Sequence, residues 1–200
     1  LKLLCLFLIL FHSHQIVFAN SSDNYNFTDQ ENNQLRKAST NSLDVENLNE
    51  YKKLVPLKTV GTAKFSVLFW DIYQSTLLSS TGAYPIENKQ QQLLFEITYL
   101  KDITKKDLIE RTIEQWQHIG HTENEFGAFV PELETMWPNI KAGDSLALLV
   151  NDKASVFYFN QQKIGEINND NFGRLFLNIW LAHNTSQPQL RAQLLGKQSS

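Results

Sequence analysis

Strand-like and helix-like residue patterns occupy separate blocks of this chain, and this block order is the feature that most constrains its fold. Aromatic and β-branched residues dominate residues 57–78 and 93–100, which predicts three strands. A block with helical periodicity follows, and then a second strand-like block at residues 144–167 and a second helical block. Such blocks indicate an α+β fold rather than single strands and helices in alternation.

The first helical block has clear start and stop signals. Thr104 can cap a first turn, with Asp107 three residues later, and Gly120 supplies a stop. The pattern predicts a second helix over residues 123–136, disturbed near Pro131.

The second strand block carries three short apolar runs with polar spacers between them. Spacers of this kind suit antiparallel hairpins. A helix capped by Asp170 or Asn171 and a short helix after Pro188 are expected to complete the fold. The three runs cover residues 146–150, 155–159 and 164–167.

An unbroken apolar run at residues 3–11 follows Lys2 near the start of the chain. The run is shorter than the roughly 20 apolar residues that a membrane span needs. Val17 and Ala19 fit the small-x-small pattern of a signal-peptidase site. We therefore predict a cleaved secretory signal at residues 1–19 and an exported protein, periplasmic or secreted, without a stable membrane span. The alternative is an anchor helix that stays attached.

The sequence also predicts where the folded domain lies. Residues 20–53 are rich in Asn, Ser, Asp and Glu and lack sustained periodicity, so we predict a polar flexible linker with a short helical turn. The domain is expected at residues 54–196, followed by a tail at residues 197–200.

Composition argues against nucleic-acid binding and against thiol chemistry. The chain has 18 Lys and Arg residues against 21 Asp and Glu residues, so it lacks the basic excess that phosphate neutralisation requires. Its single cysteine, Cys5, lies in the predicted signal. We therefore expect no nucleic-acid partner, no disulfide and no thiol nucleophile.

Known cofactor and catalytic motifs are also missing from the sequence. It contains no glycine-rich phosphate loop, no zinc-protease pair of histidines and no nucleophile elbow. His118 and His121 are close in sequence, but Gly120 ends the helix between them, so we interpret the pair as a solvated helix end. We expect no cofactor and no metal.

Six short segments share their order and spacing with a known family. On these segments the domain resembles the chalcone isomerase family, in particular its bacterial exported chalcone-isomerase-like branch. The resemblance implies a large antiparallel β-sheet with helices packed on one face, an open-faced β-sandwich, which agrees with the block order. The segments are residues 60–64 leading into 68–73, then 95–98, 116–120, 140–144 and 185–191.

The catalytic pattern of the family is poorly matched. The family's arginine falls nearest to Lys64, which lacks the planar guanidinium fork that holds an enolate or carboxylate. A threonine of the family falls on Leu68, and its helical tyrosine and asparagine fall on Thr104 and Arg111. The Ser/Thr position before the C-terminal proline is matched by Ser186.

The resemblance leads to two main hypotheses. The first is an exported, non-catalytic protein that binds a small apolar or fatty-acid-like ligand between sheet and helices, with Lys64 as carboxylate anchor and Tyr73 or Tyr99 as hydrogen-bond donors. For these three residues the alternative is surface solvation or core filling. The second hypothesis is an isomerase, an intramolecular lyase, with a rearranged site in which Lys64, Arg111 and Ser186 take the polar roles.

A third interpretation is a structural or partner-binding domain whose pocket is filled by its own aromatic side chains. The tryptophans, each in an apolar pattern, suit such a core. The sequence leaves open the ligand and the oligomeric state.

Overall fold

Six antiparallel strands form one sheet in the computed structural model of the protein, which describes residues 45–85, 92–151 and 154–197. Each strand pairs with the next one along the chain, so the sheet is a meander. This arrangement confirms the predicted α+β fold with a large antiparallel sheet. The strands are β1 (Lys58–Val67), β2 (Trp70–Ser79), β3 (Leu93–Tyr99), β4 (Ser145–Val150), β5 (Ser155–Phe159) and β6 (Gln162–Ile167).

Six α-helices and one 3₁₀ turn accompany the sheet in the described part of the chain. None of these helices is long and apolar enough to cross a membrane. The helices are α1 (Leu48–Leu54), α2 (Lys105–His118), α3 (Glu123–Phe126), α4 (Val130–Met136), α5 (Phe172–Leu181) and α6 (Pro188–Leu194), and the 3₁₀ turn spans Gly127–Phe129.

The helix boundaries follow the local signals in the sequence. The Thr104 hydroxyl accepts a hydrogen bond from the backbone N–H of Asp107 at 3.1 Å, which satisfies one of the free donors of the first turn of α2. The predicted helix over residues 123–136 is divided into α3, the 3₁₀ turn and α4. Pro131 lies in the first turn of α4, where its missing N–H costs no hydrogen bond.

The main core lies between one face of the sheet and helices α2 to α6. Alternate residues of the strands, such as Phe95 of β3 and Phe157 of β5, point to this face and are almost fully buried. The Trp116 indole N–H donates to the Leu175 carbonyl at 3.0 Å, which joins α2 to α5 inside the core. Burial of each large apolar side chain contributes about 1.5–3 kcal/mol.

Helix α1 covers the opposite face of the sheet, so the helices do not all lie on one face. Its Leu48 and Tyr51 have no exposed surface. The Tyr51 hydroxyl donates to Gln92, and Lys52 Nζ lies 2.6 Å from Glu96 Oε1 on β3. This second apolar cluster consists of Leu48, Tyr51, Leu94, Ala147, Leu149, Val156 and Tyr158.

The packed domain therefore begins before residue 54, at Val45, and residues 45–53 are not a flexible linker. The helical turn expected in this region is a capped helix, because the Asn47 side chain accepts the backbone N–H of Asn49 at 2.9 Å. Seven residues are too few to give a helical periodicity against polar neighbours. The predicted signal at residues 1–19, the linker at residues 20–44 and the tail at residues 198–200 lie outside the described residues.

Gly61 allows α6 to cross β1 closely. A Cβ atom at this position would lie 2.2 Å from the carbonyl oxygen of Gln193 and 2.5 Å from that of Leu194. Glycine is therefore required at this crossing for steric reasons.

We expect Leu48→Ala to lower the free energy of unfolding by about 3 kcal/mol, because it leaves a cavity in the second apolar cluster. Leu54→Ala is the matched control in the same helix, where the side chain is 63% exposed, and it should change stability by less than about 0.5 kcal/mol. Urea denaturation of both variants measures the difference. Equal effects of the two substitutions would mean that α1 does not pack on the sheet.

Candidate functional site

Four aromatic side chains meet at one end of the main core. Phe65, Tyr73 and Tyr99 are cross-strand neighbours on β1, β2 and β3, with ring centroids 5.2 Å and 6.1 Å apart. Trp180 of α5 reaches this row from the helical layer, and its indole N–H donates to the Tyr73 hydroxyl oxygen at 3.0 Å. We call these four residues the aromatic row.

The aromatic row lies where the core becomes accessible. Phe65, Tyr73 and Trp180 are half-buried, whereas Tyr99 is only 3% exposed. The Tyr73 oxygen accepts from Trp180, and no acceptor among the described residues takes the Tyr73 O–H in return. The row therefore combines an apolar surface with a hydroxyl donor, which is the composition expected of a site for an apolar ligand with one polar group.

Burial determines the protonation of the two tyrosines. It raises the pKa of Tyr73 to about 12, although the hydrogen bond from Trp180 stabilises the phenolate and partly opposes this shift. Burial also raises the pKa of Tyr99, and repulsion from a Tyr73 phenolate adds to the effect. Both side chains are therefore neutral hydrogen-bond donors at physiological pH and cannot act as bases there.

Lys64 does not join the two tyrosines. It pairs with Gln74 across the hairpin, whereas its neighbour Phe65 pairs with Tyr73, so alternation places Lys64 on the opposite face of the sheet. Its Nζ lies 2.9 Å from Asp71 Oδ2, with both side chains about half exposed. The expectation that Lys64 and the tyrosines together hold one ligand is therefore corrected by the structure.

A surface ion pair accounts for Lys64. The Ser66 hydroxyl donates to Asp71 at 2.7 Å, and this bond together with the one from Lys64 lowers the pKa of the Asp71 carboxyl. The strand-surface interpretation of Lys64 is thus the one that the contacts support.

The three candidates of the isomerase hypothesis are not brought together. Arg111 Nη1 lies 2.5 Å from Glu114 on α2. The Ser186 hydroxyl donates to Gln115 Oε1 at 2.6 Å, one helical turn after Arg111. Arg111 is therefore on α2 and Ser186 contacts α2, whereas Lys64 is on the far face of the sheet. These three polar groups do not converge on one substrate position.

The other positions suggested by the family resemblance have structural roles or lie at the surface. Thr104 caps α2, and Leu68 lies in the exposed turn between β1 and β2.

His121 Nδ1 lies 2.9 Å from Glu125 Oε1 in a surface contact after α2. No group of three metal-ligating side chains occurs within the described ranges.

Aromatic rings fill the space beneath α2, where the sequence suggested an apolar pocket. Neighbouring ring centroids lie 5.2 to 6.2 Å apart, mostly in edge-to-face contacts that are favourable for aromatic pairs. The interpretation that aromatic side chains fill the pocket is therefore correct for the centre of the core. Accessible apolar surface is found at the aromatic row instead. The rings belong to Trp116, Phe126, Trp137, Phe157, Phe172 and Phe176.

Two of the surface grooves that the described residues form include no member of the aromatic row. One, of about 490 Å³, is open to solvent between α4 and β6. The other, of about 350 Å³, lies beside α3 and α5 and is lined mainly by polar side chains, including Glu125. Hydrogen bonds from the Thr122 backbone, His121 and the Thr122 hydroxyl lower the pKa of Glu125 to about 2. The second groove therefore carries an ionised carboxylate at physiological pH.

The fold and the aromatic row define an α+β sandwich with an apolar interior and phenolic donors, in which the candidate cations Lys64 and Arg111 lie apart. The chain belongs to the chalcone isomerase-like family, whose sequence profile matches residues 29–196.

Two individual proteins extend this comparison. An uncharacterised protein of Haemophilus influenzae is 24% identical over 141 residues, covering 70% of this chain and 69% of its own length. The crystal structure of a fatty-acid binding protein of Arabidopsis thaliana is similar in fold, with a TM-score of 0.53, 10% identity, and coverage of 70% of this chain and 86% of that one. This structural likeness confirms the fold.

Two features of this region were not identified from the sequence. The apolar pattern around Trp180 predicts a core residue, whereas its indole N–H also donates to the Tyr73 hydroxyl. The turn at Leu68 and Phe69 lay inside an apolar run without Gly, Asn or Asp, so nothing marked it as a turn. The alternation of Lys64 with the apolar residues Ala63 and Phe65, in contrast, predicts that Lys64 lies on the opposite face of the sheet from them.

We expect Tyr73→Phe to lower stability at neutral pH by about 1–3 kcal/mol, because it removes the acceptor for the Trp180 N–H. The difference in the free energy of unfolding between wild type and Tyr73→Phe should become smaller as pH rises from about 10 to 12. The pKa of Tyr73 is higher in the folded state than in the unfolded state. The stability that its protonated hydroxyl contributes is therefore fully present below the unfolded-state pKa, and it is lost as pH rises through the folded-state pKa. The narrowing should reach about 2–3 kcal/mol in urea denaturation series. A constant gap would contradict the raised pKa.

Proposed function

We propose that this protein is a non-catalytic binding protein for a small apolar or fatty-acid-like ligand. The ligand would lie against the aromatic row, with its acyl chain on Phe65 and Trp180 and its polar group accepting a hydrogen bond from Tyr73. The observation that carries the proposal is the combination of an accessible aromatic surface with a neutral, unpaired phenolic O–H in the described part of the chain.

The fold family adds support. The fatty-acid binding protein of Arabidopsis thaliana shares this fold and, as its name states, binds a fatty acid. At 10% identity the likeness concerns the backbone arrangement, so ligand binding by this chain rests on its own side chains.

Catalysis of the chalcone isomerase type is the less favoured function. Phenolate attack and the developing enolate need convergent charged or donor groups. Lys64 is paired with Asp71 on the far face of the sheet, and Arg111 is paired with Glu114. The neutral tyrosines offer hydrogen bonds but no base at physiological pH.

Calorimetric titration of the full chain with palmitate tests the binding function. Wild-type protein should bind palmitate, and Tyr73→Phe should weaken the affinity about tenfold, since a hydrogen bond to a carboxylate is removed while the ring is kept. The affinity for methyl palmitate should fall less in Tyr73→Phe, because this ester carries no charge.

Tyr84→Phe is the matched control for this titration, since Tyr84 is also half-buried but follows the opposite end of β2. It should leave palmitate affinity unchanged. Absence of palmitate binding in the wild type would overturn the proposal. Isomerisation of a chalcone, lost in a Lys64→Ala, Arg111→Ala double variant, would establish the catalytic alternative instead.

We also propose that the chain is exported, on the support of the apolar run at residues 3–11 and the cleavage pattern at Val17 and Ala19. Expression of the full chain in a bacterial host should give a mature protein that begins at Asn20, measured by intact mass after cell fractionation. Ala19→Arg should leave the precursor uncleaved, because signal peptidase requires a small residue there. A wild-type protein that keeps residues 1–19 in the cytoplasm would refute export.

A further inference from the structure

The hairpin between β1 and β2 presents three adjacent apolar side chains to solvent. Leu68 is 84% exposed, Phe69 is 98% exposed and Trp70 is 57% exposed. We call Leu68, Phe69 and Trp70 the hairpin tip. Among the exposed large apolar side chains of the described residues, only Leu54 on α1 lies outside this tip. A contiguous exposed group of this kind indicates an interaction surface.

The backbone of the tip also departs from what a hairpin turn prefers. Val67 pairs with Trp70, so Leu68 and Phe69 form a two-residue turn, and Leu68 has a φ of 54°. Turns of this length normally place Gly, Asn or Asp at positive φ. The β5–β6 hairpin, at the same end of the sheet, follows this rule only at its first turn residue, with Asn160 at a φ of 47° and Gln161 at a φ of 75°. A leucine that is both exposed and strained at this position points to a functional constraint.

Polarity changes along the hairpin from its tip towards the sheet. Leu68 and Phe69 are outermost. Behind them, Lys101 places its Nζ 4.5 Å from the centre of the Trp70 ring, and no carboxylate in the described residues forms an ion pair with it. Further back, the Lys64–Asp71 ion pair faces water.

We propose that the hairpin tip docks on a phospholipid bilayer surface. The order of apolar side chains, then an indole with an ammonium group, then solvated ions matches the order of hydrocarbon, headgroup and water across a membrane interface. Phe69 and Leu68 enter the boundary of the acyl chains, Trp70 lies at headgroup depth, and the Lys101 ammonium contacts lipid phosphate.

A bilayer fits this surface better than a protein pocket does. The tip is highly exposed, and the Lys101 ammonium over the Trp70 ring, which forms no ion pair with a described carboxylate, complements phosphate anions. Phe65 of the aromatic row lies on the same hairpin, two residues before Val67, so a docked tip would place that row next to the membrane. The suggestion that a lipid-derived ligand passes between them rests on the proposed function, whereas docking itself does not.

Flotation of the full-length protein with phosphatidylcholine vesicles tests the docking. Phe69→Ser should lower the partition coefficient about tenfold or more, because a fully exposed aromatic ring no longer enters the bilayer. Leu54→Ser is the matched control, because it removes an exposed apolar side chain from α1, and it should leave partitioning unchanged. Equal losses in both variants would overturn the proposal in favour of general apolar adhesion.

Two further measurements locate the contact. Vesicles with brominated acyl chains should quench tryptophan fluorescence in the wild type, and Trp70→Phe should lower that quenching, since Trp116 and Trp137 are buried and Trp180 is only partly exposed. The unprocessed chain carries the apolar run at residues 3–11 in every variant, so a membrane contact through that run alone would give quenching that does not depend on Trp70. This result would also overturn the proposal.

Substitution of Lys101 tests the contribution of its positive charge to vesicle binding. Lys101→Gln should keep partitioning to phosphatidylcholine but abolish the gain produced by adding phosphatidylglycerol. If vesicles do not bind and Phe69→Ser instead shifts the protein from oligomer to monomer in ultracentrifugation, the tip is a protein interface and the lipid proposal is wrong. Palmitate titration of Phe69→Ser should match the wild type, so failure of docking and failure of ligand binding are distinguishable.

Discussion

The central strands β3, β4 and β5 are apolar on both faces, and this property determines which other elements the domain needs. Phe95 and Leu94 are adjacent in β3, yet one lies in the main core and the other in the second apolar cluster. A sheet with two apolar faces must be covered twice. Helices α2 to α6 cover one face and α1 covers the other, so the segment before β1 belongs to the fold. The outer hairpin of β1 and β2 extends beyond α1, which is why Lys64 can remain solvated there.

The sequence predicts this fold well where single residue patterns determine local structure. The caps, stops and alternating runs of the domain placed its strands and its longer helices, because hydrophobic period and end signals act over a few residues. The position of α1 was not predictable in this way, since Leu48 and Tyr51 are buried by contacts with strands 40 to 110 residues further along the chain. Long-range packing, rather than propensity, holds such a short helix. The site was only partly predictable, because the alternation at Lys64 identifies opposite faces but not the contacts that each face makes.

The filled interior and a binding function are compatible because packing is not uniform across the core. Rings at the centre, such as Trp116 and Phe157, have no exposed surface, and displacing them would cost much of the core's stability. Tyr73 and Trp180 retain exposed surface and a free hydroxyl donor in the described structure. An apolar ligand at this end covers surface that water already contacts, so the transfer is favourable without a preformed cavity.

Departures from local sequence rules concentrate at the end of the molecule that carries the aromatic row. Two helix starts follow these rules: Thr104 caps α2, and Thr122 forms a reciprocal capping box with Glu125. At the β1–β2 turn, leucine takes a left-handed conformation and an aromatic ring faces water. The tip contributes nothing to either apolar cluster, so packing inside the domain gives no reason for this departure. The strain and exposure therefore relate to what the tip contacts outside the chain, and the neighbouring Phe65 links that contact to the row.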